Sequence, residues 1–171
     1  MNIPNNKRKK DSKEKIEKVF LTLIQTKDIN EITVTDICKN ANLNRTTFYS
    51  NYIDIYDLAD KIKEKLENDI TLLYKDDDEK YSEGNFLKLF QHIKENQIFY
   101  KTYFKLGFDK ITNISEYNFD KATFYYNGKN IDYHIEFFKA GLNAIIKKWL
   151  YDGCKESPEE INEILKTEYK K

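Results

Sequence analysis

Within seven residues the chain places an arginine, two threonines, a tyrosine and an asparagine: Arg45, Thr46, Thr47, Tyr49 and Asn51 in the run Asn44-Arg-Thr-Thr-Phe-Tyr-Ser-Asn-Tyr52. A guanidinium can bond the two acceptors of a guanine edge. Threonine offers a hydroxyl to phosphate and a methyl group to thymine, and tyrosine and asparagine reach phosphate oxygens. Phe48 and Tyr52 are four residues apart and share the buried face of a helix, which leaves the polar set facing outward. That chemistry fits the groove of a nucleic acid. On spacing alone, an ordinary three-helix hairpin is the favoured reading of so short a polar helix.

The elements that would position this set are legible on either side of it. Thr33 can cap a helix whose third residue is Asp36, and Val34, Ile37, Cys38 and Ala41 then fall on one apolar stripe. Asn42 tolerates the left-handed backbone that a tight turn requires, Leu43 closes the core, and Asn44 starts a second helix as its N-cap. A helix-turn-helix follows, with a recognition helix over about 44–51. Upstream, the spacing predicts a helix from about Ser12 to Gln25 that buries Ile16, Val19, Phe20, Leu23 and Ile24. Lys7, Arg8, Lys9 and Lys10 belong to a basic arm, residues 1–11, expected to be unstructured.

From Lys15 to about Leu66 the chain resembles the N-terminal domain of the TetR family of bacterial transcription regulators, through the helix-turn-helix and its ending Thr47-Phe48-Tyr49-Ser50-Asn51-Tyr52. It departs from the family pattern at Asn42, where glycine is usual, and at Ile55, where a phosphate-contacting lysine is common. The resemblance implies an all-α protein in two parts: a helix-turn-helix DNA-binding domain over 1–54 and a helical ligand and dimerisation domain over 55–171. It also implies a cytoplasmic homodimer on a palindromic operator, a repressor released by a small-molecule effector. The DNA contacts implied are Thr35, Asn44, Arg45, Thr46, Thr47, Tyr49 and Asn51. Arg45 would read guanine, Thr46 and Thr47 bases or phosphates, and Thr35 and Tyr49 phosphates, with Asn51 on the backbone.

Beyond the head, Leu58, Ile62, Leu66, Ile70 and Leu73 predict a long helix from Ile55, followed by an acidic loop over 76–85. Tyr100, Tyr103, Phe104, Phe108 and Phe124 lie in an aromatic-rich stretch that can equally be packed core or the lining of an effector pocket. From Ile131 to Tyr151 one strong stripe runs through Leu142, Ile146, Trp149 and Leu150. Phe137, Gly141 and Ala144 supply a second surface suited to another copy of the chain, and Ile161 and Leu165 on the last helix join the expected dimer interface. Residues 139–161 resemble the C-terminal region of the TetR subgroup that includes the regulator of dihydroxyacetone kinase genes.

Composition bounds these expectations without generating them. The 171 residues carry 29 basic and 29 acidic side chains. Residues 1–50 hold ten Lys or Arg against six Asp or Glu, so positive charge gathers where the DNA head lies. No apolar run is long enough to span a membrane, and the N-terminus lacks the apolar core of a signal peptide. His92 and His134 sit in no metal-ligand spacing and there is no glycine-rich phosphate loop, so neither an enzyme nor a metal or organic cofactor is expected. Cys38 reads as a small core residue and Cys154, after Gly153, as an exposed thiol. A rival to the repressor is a helical adaptor or activator that works through a partner protein and binds no small molecule itself.

Overall fold

The computed structural model describes residues 3–73, 86–110, 123 and 128–169, and every regular element among them is helical. The chain divides into two compact units, Met1–Leu66 and Glu67–Lys171. No helix of the described residues is long and apolar enough to cross a membrane.

The first unit begins with α1, Ile3–Leu23. Lys7–Lys10 are therefore helical and exposed, and the unstructured arm expected from the basic run is corrected: with no proline or glycine after Pro4 the helix simply continues outward. The buried stripe of α1 is Ile16, Phe20 and Leu21, continued by Ile24 just past its end and joined by the side chain of Glu17. Val19 and Leu23, expected in the core, are half-buried and instead line a shallow open groove with Lys15, Lys18, Thr22, Asn40 and Ala41.

A single 3-10 turn, Ile29–Glu31, leads into α2, Val34–Ala41. Thr33 and Asp36 form the anticipated capping box: the Asp36 amide donates to Thr33 Oγ1 at 3.1 Å and the Thr33 amide donates to Asp36 Oδ2 at 3.2 Å. Asn42 ends α2 in the left-handed region at φ 53°, ψ 49°, and the Leu43 amide then donates to the Cys38 carbonyl at 2.9 Å. Helix α3, Arg45–Tyr49, is only five residues long. Helix α4, Ile55–Leu73, follows, burying Ile55, Leu58, Ala59, Ile62, Leu66 and Ile70. The division between the units falls inside it.

In the second unit α5, Leu87–Glu95, and α6, Gln97–Lys105, are followed by a 3-10 turn, Phe108–Lys110, and then by α7, Ile131–Tyr151, and α8, Pro158–Tyr169. Helix α5 packs on α8, and α6 packs on α7. Trp149 and Phe90 meet edge to face, with centroids 5.7 Å apart, a geometry worth about 0.5–1.5 kcal/mol beyond the area it buries. The indole N–H donates to the Glu156 carbonyl at 3.1 Å, so the ring is buried without an orphaned donor. Gly153 and Cys154 both take left-handed backbones, and the Cys154 amide donates to the Trp149 carbonyl at 2.8 Å. This turn folds the chain inward and buries Cys154, which corrects the exposed thiol expected from sequence; burial pushes its pKa up.

The left-handed turn gives a direct stability test. Asn42→Gly is expected to hold unfolding free energy within about 0.5 kcal/mol, because glycine adopts this backbone freely. Asn42→Val is expected to lose about 1–2 kcal/mol, because a β-branched residue does not. Urea unfolding of the two variants and the parent checks both.

Candidate nucleic-acid interface

Helix α3 is held by its own ends and by one buried ring. Asn44 Oδ1 accepts from the Thr47 amide at 2.7 Å and from the Thr47 hydroxyl at 2.8 Å. At the other end the Asn51 side-chain amide donates to the Thr47 carbonyl at 2.8 Å. Phe48 is fully buried, its ring edge to face with Tyr49 and tilted against Tyr52, at centroid distances of 5.6 and 5.7 Å. Tyr52 lies past the end of α3 yet is buried as well, so the four-residue spacing places both rings inside although the helix stops between them.

These contacts sort the seven expected DNA-contacting residues. Arg45, Thr46 and Tyr49 are exposed on α3 and Thr35 is exposed on α2. The Arg45 guanidinium donates to Thr35 Oγ1 at 2.6 Å, which aims the longest side chain of the set and links the two helices of the motif. Asn44, Thr47 and Asn51 have their polar groups engaged in the bonds that terminate α3. Asn44 remains exposed, and Thr47 and Asn51 are half-buried.

The residues behind this surface were not singled out by their sequence pattern. Glu17 of α1 is buried, with the Tyr52 hydroxyl donating to its Oε1 at 3.0 Å and Lys65 Nζ of α4 donating to its Oε2 at 3.2 Å. Lys61 Nζ lies 5.3 Å from the centroid of the Tyr52 ring and donates to the Asn51 carbonyl at 3.3 Å and to Asp57 Oδ2 at 3.0 Å. Burial, followed by the neighbouring Glu17 carboxylate, pushes the Tyr52 hydroxyl far above the usual phenol range, so it is a permanent donor. The available sequence signal was spacing: Glu17, Leu21 and Ile24 fall at i, i+4 and i+7, which sets an acid on an apolar stripe.

The start of α4 takes no cation at the position where Ile55 replaces the common lysine. Asp54 Oδ1 accepts from the Asp57 amide at 2.8 Å, and Asp57 Oδ2 accepts from the Ile53 amide at 2.8 Å. Ile55 itself is buried. Tyr56, exposed in the first turn, donates to Asn30 Oδ1 at 2.5 Å.

Tyr100, Tyr103 and Phe104, expected around an effector, are buried in the second unit. The Tyr100 hydroxyl bonds His92 Nδ1 at 2.8 Å, and burial lowers the His92 pKa. Tyr103 meets Phe104 and Phe108 edge to face. Lys147 Nζ lies 5.0 Å from the Phe104 ring centroid and 2.6 Å from Asp109 Oδ2. Phe124 falls outside the described residues. Of the expected dimer set, Phe137 is 76% exposed, Ala144 is exposed and Gly141 half-buried, with Tyr133 at 80% and Tyr151 at 65% on the same helix. Ile161 and Leu165 are instead buried within the protomer, because α8 turns that stripe onto α5; Ile164 is a large apolar side chain that α8 leaves exposed.

Comparison with known proteins places this arrangement. A family model for a transcriptional regulator C-terminal region, of the TetR type, matches residues 80–168. The chain is 31% identical over 122 residues to the HTH-type dhaKLM operon transcriptional activator DhaS of Lactococcus lactis subsp. lactis (strain IL1403), a match covering 70% of this chain. It spans 64% of the length of that relative. The solved structure of a dihydroxyacetone kinase operon activator DhaS superposes with a TM-score of 0.57 at 27% identity, covering 90% of this chain and 91% of that one. A TetR transcriptional regulator from Streptococcus agalactiae 2603V shares the fold, with a TM-score of 0.66 at 23% identity over 98% of both chains.

The caps of the head make its stability depend on acid. The Asp36 carboxyl is held below its ordinary value of 3.8 by bonds from the Thr33 side chain and amide, and Asp57 by the Ile53 amide and Lys61. Both have lower values folded than unfolded, so their contribution is complete above the unfolded value and is lost as pH falls through the folded one. The urea midpoint is expected to decline gently once pH falls below the ordinary histidine range, because half-buried His92 resists the proton its unfolded form accepts, and to fall again below about pH 4 as the carboxyls take up protons, with a shallower fall in that second range in Thr33→Val. An equally steep fall in that variant would remove Asp36 as a contributor.

Proposed function

Because the chain belongs to the TetR family of transcriptional regulators, we propose that it is a sequence-specific DNA-binding regulator that works as a homodimer and activates transcription. One observation carries this reading: a capped helix-turn-helix whose buried side, Phe48 and Tyr52, leaves Arg45, Thr46 and Tyr49 in solvent with Arg45 already aimed by Thr35. The excess of basic residues in the same part of the chain favours a polyanion. The family is generally non-enzymatic.

Homodimerisation is supported by the outer face of α7, where Tyr133, Phe137 and Tyr151 leave aromatic surface in water and Gly141 and Ala144 permit a close helix approach. Two copies related by a twofold axis would present two α3 helices to a palindromic operator in the cytoplasm. Activation is preferred to the repression expected from sequence because two of the relatives named above, both called DhaS, are described as activators. A second reading concerns the signal. Tyr100, Tyr103 and Phe104 are engaged in packing, which favours a signal delivered by a partner protein over a small-molecule effector held among these rings.

Selection from a randomised duplex library, followed by salt titration on the selected duplex and a random one, tests DNA binding. Preference for a palindrome, two protomers per site and a steep loss of affinity with salt are expected. Arg45→Ala is expected to cost about 1–3 kcal/mol on the selected duplex and much less on the random one; equal losses would remove its role at a base. Phe137→Lys is expected to convert the dimer to monomers in sedimentation equilibrium, and a persisting dimer would move the interface off α7.

A further inference from the structure

We propose that Glu17 is a positioning residue for DNA recognition: it touches no nucleic acid, and through Tyr52 it fixes how α3 presents Arg45, Thr46 and Tyr49. This rests on the DNA-binding reading above. Glu17 is 6% exposed, on the helix that also buries Ile16, Phe20 and Leu21. An apolar side chain would fill that place without the desolvation cost of a carboxylate, so what the acid adds is direction. One oxygen takes the Tyr52 hydroxyl at 3.0 Å and the other takes Lys65 at 3.2 Å, while Lys13, one turn earlier on α1, stands 3.8 Å from Oε1.

The group therefore ties together α1, the segment that ends the recognition helix, and α4. One turn from Lys65, Lys61 holds the same segment a second time, at the Asn51 carbonyl and over the Tyr52 ring. The Asn51–Tyr52 step is fixed at its carbonyl, its ring and its hydroxyl. With Asn44 fixing the other end, a five-residue helix has little freedom to tilt. Apolar packing of Phe48 places α3 in depth but leaves rotation about the buried ring open; a directional bond at Tyr52 closes it.

Three variants separate positioning from stability: Tyr52→Phe, which keeps the ring, Glu17→Leu, which takes the carboxylate from the hydroxyl, and the double variant Glu17→Leu/Tyr52→Phe, which removes hydroxyl and carboxylate together and leaves half-exposed Lys65 to water. Each is read by thermal unfolding, by binding to the library-selected duplex and a random duplex, and by amide exchange at Thr47–Tyr52. In Tyr52→Phe the preference for the selected duplex is expected to fall about tenfold, with random-duplex binding little changed and exchange at Thr47–Tyr52 faster than in α2. The double variant is expected to regain melting temperature relative to Glu17→Leu without regaining preference. Preference that returns together with stability, or stays at the parent level in Tyr52→Phe, would overturn the proposal. If the parent protein prefers no sequence, the DNA-binding reading fails by itself. The exchange rates then still decide positioning: unchanged protection of Thr47–Tyr52 in Tyr52→Phe refutes it.

Discussion

A helix of five residues closes too few internal hydrogen bonds to persist in water, so α3 stands because Phe48 is buried beneath it. That burial decides which residues are left outside. Once Phe48 and Tyr52 point inward, Arg45, Thr46 and Tyr49 have nowhere to go but solvent. The left-handed backbone at Asn42 and the Asn44 cap exist to deliver α3 to that ring, and the capping box at Thr33 fixes the helix from which the turn departs. Loss of the ring contact would remove this exposed polar surface even with every polar side chain intact.

The polar groups around α3 divide between making the helix and being available to a partner. Asn44, Thr47 and Asn51 are spent on the helix termini, where unsatisfied backbone groups must find bonds. Thr35 supports Arg45 across the turn. A motif of this size thus devotes about as many polar residues to holding itself as it presents, which is why mutations at Asn44 and at Arg45 should be read differently although both lie in the same short run.

The second unit follows the same logic at larger scale. Trp149 and Phe90 pin α7 to the core, and the Gly153–Cys154 turn returns the chain so that α8 can cover α5. Fixing α7 by one face leaves Tyr133, Phe137 and Tyr151 exposed on the other.

How much of this the residues announced by themselves depends on range. Caps and turns were legible at Thr33, Asp36, Asn42 and Asn44, because each acts on amides within four residues of itself. The long stripes of α4 and α7 were legible because burial imposes a helical period on sequence. Contacts between distant segments left no such trace. Glu17 meets Tyr52 and Lys65 across 35 and 48 residues, so its partners could be known only once three segments had been brought together. The phase of a stripe was similarly undecided: α1 buries Leu21 where Val19 and Leu23 were expected, and α8 buries Ile161 and Leu165 where a dimer contact was expected. Local hydrogen bonding and periodicity are written along the chain; the rotation of each helix, and therefore which groups stay free to meet another molecule, is settled by what the folded neighbours leave uncovered.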